Sequence, residues 1–571
     1  MHFDFMNNKK KPLSHALILL SAFISALALR LISLGSIPLS NIEASIALQA
    51  LAVSHRMETL FGAHIAYVGL TGLDFFVFEP GNFLARFWPA FLGAFVVLIP
   101  FLFRDQIGRW PASILALILA VSPEMVGLSR MIGSPMMAFV GFFLALGLIN
   151  HKKPIPAGVA FALGLMSGAG FWTGIVILGL SLFVFRAFYQ GALGLFPFAH
   201  LKNDKAFWVR FSVPVFLTSF LVGTGFLLAP KGLNGIFVGT VDFIRGFAQP
   251  YIKPFWLKPL ALIAYGLSAL LFGIWGGIRG ALSKNKFDIF LIIWAALGCI
   301  YLLLYPAAMP SDILWVTLPL WTLAARVLTF HWKIPQDNRL ILAVTAIAVV
   351  IVFAFIMLAL RSLISPTLDQ QARLVTSIAI VGGLVLLIAV VFLVTYGWSG
   401  TVALPGLLMG LMIVSLLGML SLTFRTTGLG SGDSYELWYP EQANLSPRWV
   451  MVTVDRVLDW NKRRTEPVDI AVVGFDSPGM RWALRDDDAV FVPYLPPASQ
   501  PGILISDVTS QPEIANSYRG QDLVWSRRAL WEQMSPFQYL EWLITRNAPA
   551  ESNAVIIWVR TDMMPDGQLT P

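Results

Sequence analysis

One cysteine, Cys299, stands in a chain of 571 residues. That excludes an intramolecular disulfide framework and a cysteine metal cluster. The seven histidines show no HExxH or related ligand spacing, and residues 423–571 carry no GxGxxG, P-loop or nucleophile elbow. Charge is scarce as well, at 13% of residues against 57% hydrophobic, with a mean hydropathy of +0.72. No soluble chain of this length needs so much apolar surface, whereas a polytopic membrane protein does.

What the chain has instead is long apolar runs. A membrane span takes about 20 apolar residues. On that rule thirteen stretches read as spans, the first near residues 15–35 and the last near 401–422. The pair within 155–189 is ambiguous, because "SGAG" between them marks either a tight hairpin or a kink in one long helix. Lys9, Lys10 and Lys11 precede the first run like a signal peptide's basic region, but no small-residue cleavage site follows, so the run reads as an uncleaved first span.

The scarce charge is also segregated. Up to Leu422 there are 27 basic and 13 acidic residues, a net of +14; from Thr423 onward the net is −6, giving the chain's +8. The basic excess therefore belongs to the membrane part and points to topology or phospholipid contact rather than nucleic acid. With the N-terminus inside, sixteen basic residues fall in inner segments and nine in short outer ones, as the positive-inside rule requires. An odd number of spans then puts the tail outside. Eight of the thirteen acids before the tail, Glu43, Asp74, Glu124 and Asp312 among them, fall on the outer side.

Two regions lie outside the spans. The first outer loop covers residues 36–83, and within it residues 41–56 read as a helix along the membrane surface, with Ile42, Ile46, Ala50 and Val53 on one stripe. In the tail, "VDIAVVGF", "AVFVPYL", "GILISDV" and "AVIIWVR" read as buried strands between helical stretches. The expected architecture is thus a helical membrane domain over 1–422 and a C-terminal extracytoplasmic α/β domain over 423–571.

Glu43 opens the first-loop helix. Ser40-x-x-Glu43 matches a capping box, in which the Glu side chain reaches back to the N-cap amide. The same carboxylate is also the leading candidate for acid/base chemistry on the outer face. Arg86 and Arg130 sit at outer helix ends, where a snorkelling side chain and an anion-binding one look alike in sequence. Arg30 reads as a snorkeller or as the partner of an outer-loop acid. For Asp74, Glu124 and Asp312 a solvated loop position is the plainer reading and a sugar, lipid or acceptor contact the alternative.

The order of motifs resembles the integral-membrane glycosyltransferases of the GT-C class, and in particular the protein mannosyltransferase, aminoarabinose transferase and family 39-like group. "SNIEASIALQAL" holds the place of the first-loop acidic helix, and "ARFWPAFLGAFVVLIPFLF" that of an Arg-led second span. "RDQIGRW" is the basic turn, and "ALILAVSPEMVGLSRMIGSPMMAFVGFF" carries the Ser-Pro and the outer "SR". "MRWALRD" in the tail looks like the outer domain of bacterial members. The likeness covers residues 15–190 in order and spacing, and the rest in topology. Ile42 stands where the family often has the first of two adjacent acids, and Ser134 near the place of another acid.

The resemblance implies transfer of a sugar from a polyprenyl-phosphate donor to an extracytoplasmic glycan, lipid or protein acceptor, with inversion and without a protein nucleophile. It implies Glu43, with Asp74 behind it, as the base for the acceptor hydroxyl, and Arg130 and Arg86 on the donor phosphate. It places Glu124 and Asp312 along an acceptor or lipid groove. Glu43 and Arg130 should then face one outer cavity. No cofactor is implied, and no paired acids in the first loop call for a divalent metal. The protein would reside in the plasma (inner) membrane. The rival readings are a transporter or flippase, which should show repeated halves and mid-membrane charges, and a GT-C-like scaffold without chemistry.

Overall fold

Length divides the thirteen apolar stretches, all of which form helices in the computed structural model. It describes residues 12–189, 204–251, 254–330, 338–364, 369–398, 400–429, 435–439, 446–462, 468–496, 499–509 and 517–564. Lys9, Lys10 and Lys11 lie outside them. Among the described residues nine helices are long and apolar enough to cross a membrane, and a tenth span results if the bent pair α7 (Arg109–Val121) and α8 (Pro123–Ser129) counts as one. Three more, α1 (Pro12–Leu31), α9 (Met136–Asn150) and α10 (Pro154–Leu165), present apolar segments shorter than a span. Thirteen full spans are therefore not confirmed, but the helices are those of an integral membrane protein.

The ambiguous "SGAG" is a true break. α10 ends at Leu165, Gly168 turns the chain at φ +104°, and α11 (Gly170–Phe188) starts again. Only glycine adopts that backbone angle without strain.

The break between α7 and α8 has a chemical cause. Pro123 lacks the N–H that would bond to Leu119 O, and the helices diverge by 53° at Ser122. Freed carbonyls in an apolar interior need other donors. Arg30 supplies them, donating to Ala120 O at 3.2 Å and Leu119 O at 3.5 Å, while the Thr423 hydroxyl donates to Val121 O at 2.6 Å. Arg30 is fully buried and also donates to Ser129 Oγ at 3.0 Å. It does not snorkel; it repairs a broken helix.

The first loop folds as two helices. α2 (Asn41–Ser54) lies against α3 (Ile65–Val77), and α4 (Asn82–Ala94) follows. Their apolar faces share one core with Ile132 and with Trp482 of the tail. α4 continues through a 3₁₀ turn at Phe95–Leu98 into α5 (Ile99–Leu102), and α6 (Arg104–Ile107) turns the chain toward α7.

The tail forms a five-stranded mixed sheet in the order β2-β1-β3-β5-β4. β1 (Ile470–Val473) runs parallel to β2 (Ala489–Val492) and β3 (Ile503–Asp507), while β5 (Ala550–Arg560) is antiparallel to β3 and to β4 (Tyr518–Ala529). Alternation along β1 sends Ile470 and Val472 toward the helix Ser446–Lys462, and Ala471 and Val473 toward the thinner opposite face. The helix Pro536–Thr545 docks the domain on the bundle: Trp542 belongs to the bundle's main core, and Trp256 Nε1 donates to Tyr539 OH at 2.8 Å.

Candidate functional site

Ser40 and Glu43 form the capping box that their spacing predicts. Ser40 N donates to Glu43 Oε2 at 3.2 Å, and Glu43 N donates to Ser40 Oγ at 3.4 Å. The carboxylate does more than cap. Arg86, on α4, meets it as a fork, Nε to Oε1 at 2.9 Å and Nη2 to Oε2 at 2.6 Å, with both side chains buried. The Ile132 amide also approaches Oε1 at 3.3 Å. Arg86 spends its other donors on Ile37 O at 2.6 Å and Pro38 O at 3.1 Å. The pair therefore fastens the entry of α2 to α4, a planar bidentate geometry that arginine alone provides.

Arg130 plays a parallel part. It donates to Leu29 O at 3.1 Å, Arg30 O at 3.0 Å, Ile32 O at 2.8 Å and Ser33 O at 3.1 Å. Leu29 and Arg30 belong to the last turn of α1, and Ile32 and Ser33 to the turn that follows it, so Arg130 supplies donors where the helix ends. Phosphate binding by Arg86 would require its bonds to Glu43, Ile37 O or Pro38 O to be released, whereas Arg130 Nε donates to no acceptor among the described residues. Ser134 Oγ donates to Leu128 O at 2.6 Å and so closes α8. Ile42 is 45% exposed and brings no charge to the place it holds.

The structure thus gathers Glu43, Arg86 and Arg130 around the end of α1 and the loop 131–135, with half-buried Tyr439 near enough to feel all three charges. The other acids lie elsewhere. Asp74 is half-buried in the last turn of α3. Glu124, fully buried in the first turn of α8, accepts from Trp321 Nε1 at 3.0 Å. Asp312 caps the 3₁₀ turn Pro310–Ile313, accepting from Met309 N at 2.9 Å. Among the described residues no three of His, Cys, Asp and Glu stand close enough to hold a metal ion.

His64, just before α3, sits on the other side of the loop 131–135. Its Nδ1 lies 3.1 Å from Ser167 O, so the neutral ring donates there and keeps the Nε2 lone pair. Nε2 has no hydrogen-bond partner among the described residues, and a Cβ built at Gly133 or at Gly168 would stand 3.7 Å from it. A Cβ built at Gly168 would come within 2.9 Å of the His64 ring. Burial holds the imidazole below its ordinary range, opposed by the Ser167 carbonyl and the charge of Asp242. A neutral imidazole with one nitrogen anchored and the other open can take a proton. A lone histidine has no motif spacing, so the sequence carries no signal for it.

Ser167, whose carbonyl anchors His64, also closes one end of an apolar groove of about 930 Å³. The groove runs between α4–α5 on one side and α9–α10 on the other, and Arg104, His151 and Lys153 stand at its far end. Neither Glu43 nor Arg130 lines it, and neither lines the cleft between the first loop and the sheet domain.

The sheet domain grips both ends of the first loop. Gly479 N donates to Asn41 Oδ1 at 3.0 Å, Trp482 Nε1 to Asn82 Oδ1 at 2.8 Å and Arg485 to Pro80 O at 2.8 Å. Trp482→Phe removes a buried donor from Asn82 and is expected to cost about 1–3 kcal/mol at this contact. Hydrogen exchange should show faster exchange in α2 and the helix Pro478–Ala483 but not in the bundle.

No family model matches the chain, and no curated protein matches it. Solved structures do. Over 97% of this chain and 99% of the other, the fold matches the crystal structure of ArnT from Cupriavidus metallidurans bound to undecaprenyl phosphate, at 13% identity and a TM-score of 0.52. The fold is ArnT-like. An oligosaccharyltransferase from Archaeoglobus fulgidus is also similar, at 14% identity and a TM-score of 0.46 over 85% of this chain and 65% of the other. The helical bundle, the first-loop helices and the sheet domain thus have a counterpart that runs the length of the ArnT chain.

Proposed function

We propose that the protein is an inner-membrane glycosyltransferase that moves a sugar from a polyprenyl-phosphate donor to an acceptor outside the cytoplasm. The observation that carries this reading is the ArnT-like fold over 97% of the chain, joined to an apolar groove whose lining includes Ser167, the residue that anchors His64 Nδ1. The donor's prenyl chain lies in the groove, and its sugar reaches the loop 131–135. The N-terminus is cytoplasmic and the sheet domain faces outward.

The acceptor oxygen attacks the anomeric carbon as the bond to phosphate breaks. The polyprenyl phosphate leaves with the electron pair, and the single displacement inverts the centre. His64 Nε2 takes the hydroxyl proton. Glu43 holds the site together through Arg86; its oxygens are both engaged, so proton transfer to Glu43 would require that ion pair to open. Arg130 and Arg86 act as positioning residues for the end of α1 and the start of α2.

A second reading is a GT-C-like scaffold without chemistry. Ile42 in place of an acid, beside a Glu43 consumed by an ion pair, favours it. The test is release or transfer of labelled sugar from a panel of polyprenyl-phosphate donors by the full-length chain in lipid nanodiscs. Turnover supports the transferase, and its absence across the panel supports the scaffold.

A further inference from the structure

A cleft of about 670 Å³ opens between the first loop and the sheet domain, a size typical of small-ligand sites. One wall is the helix Ser446–Lys462, which contributes Arg448, Met451 and Asp455. The opposite wall carries Arg485, Asp486 and Asp487, just after the helix Pro478–Ala483. The residues leading into α2 form the floor, with Pro38 and Leu39 directly before the capping Ser40.

The lining mixes polar and apolar surface, and its charges sum to one net negative. Two guanidinium groups stand against three carboxylates, and Arg485 already pairs with Asp486 at 2.8 Å. A phosphate or polyanion would meet more acid than base here. A neutral polyhydroxyl ligand would not, because a carboxylate or guanidinium spans two neighbouring hydroxyls with paired hydrogen bonds. Met451, Leu39 and Pro38 offer apolar surface to the C–H face of a sugar ring. The cleft belongs to both parts of the protein at once, since the contacts of Gly479 with Asn41 and of Trp482 with Asn82 fix the wall formed by the helix Pro478–Ala483 relative to the first loop.

We infer that this cleft binds a neutral oligosaccharide, the glycan portion of the acceptor. The inference rests on the proposed transferase reading for the word acceptor, and on the cleft alone for the sugar. Occupancy would set the glycan against the start of α2, the element whose entry Glu43 and Arg86 hold.

The test is binding of a neutral trisaccharide panel, chitotriose, maltotriose and mannotriose, to the full-length chain in nanodiscs. The readouts are ligand-observed NMR and titration calorimetry. Saturable binding of at least one member is expected, at ~1 mM or tighter, weakened about tenfold or more in the Arg448→Ala/Asp455→Asn double variant. Both side chains reach the surface on an exposed helix face, and an unchanged melting temperature shows that the variant is folded. No saturable binding across the panel, or equal binding by the variant, overturns the inference. So does saturation by a Ser/Gly-rich peptide with none by the sugars, which would make the acceptor a polypeptide. Donor turnover is read separately: turnover without sugar binding leaves the transferase standing and removes the cleft, and sugar binding without turnover does the reverse.

Discussion

Glu43→Gln is expected to lower the unfolding free energy by about 3–5 kcal/mol, because it leaves a buried guanidinium without its counter-charge. The substitution isolates that one effect. Glutamine at the same place still completes a capping box with Ser40, since its carbonyl can accept from the N-cap amide. What it loses is the negative charge opposite Arg86, which is 5% exposed. Glu43→Gln with Arg86→Met removes both charges and should recover part of the loss. Recovery stays partial, because Ile37 O and Pro38 O then lack the donors that Arg86 supplies. Thermal unfolding in detergent micelles measures all three variants. If Glu43→Gln melts with wild type, the pair does not hold the first loop. Loss of activity in this variant bears on catalysis only if the melting temperature shows that it is folded.

His64→Gln is expected to slow sugar transfer by about 10²–10⁴-fold, the range a positioned general base supplies. Glutamine can keep a donor toward Ser167 O but has no nitrogen that accepts a proton near neutral pH. The pH profile distinguishes catalysis from packing. Because burial lowers the imidazole's pKa from 6.5, the ring is neutral at pH 7, and wild-type activity falls as pH drops through that lowered value. The variant's residual activity should lack this acid limb. Stability follows the same sign: the unfolded chain binds the proton first, so His64 contributes stability above about pH 6.5 that is lost as pH falls. An acid limb that persists in His64→Gln would remove His64 as the base.

Much of the fold was legible because its signals are local. Apolar runs announced the helices, and Ser40-x-x-Glu43 placed the start of α2. Short apolar runs flanked by turn residues placed β1, β2, β3 and β5. β4 went unread because "YRGQDLVWSRRA" is an edge strand with charged, mostly uncovered side chains, so neither a continuous apolar run nor a clean alternation marks it. Arg30 looked like a snorkeller because its partners, the carbonyls freed by Pro123, are about ninety residues away.

The site was legible only in part, for the same reason. Glu43, Arg86 and Arg130 each stood out as a charge in an apolar setting, and the structure brings them together. Their pairing was not readable: Glu43 and Arg86 are 43 residues apart, and Arg130 reaches the end of α1 across about 100. His64 acquires its orientation from Ser167, 103 residues on. Hydrogen-bond partners at such separations are products of the fold, and no spacing within one helix or loop encodes them.

The central claim is that this ArnT-like fold transfers sugar from a lipid carrier. The most direct measurement is single-turnover consumption of polyprenyl-phosphate-linked sugars by the full-length protein in nanodiscs, following free polyprenyl phosphate by mass spectrometry. The account predicts that at least one donor of the panel is converted to polyprenyl phosphate and that the acceptor product has inverted anomeric configuration. A folded, donor-saturated protein that releases no polyprenyl phosphate from any donor would contradict it.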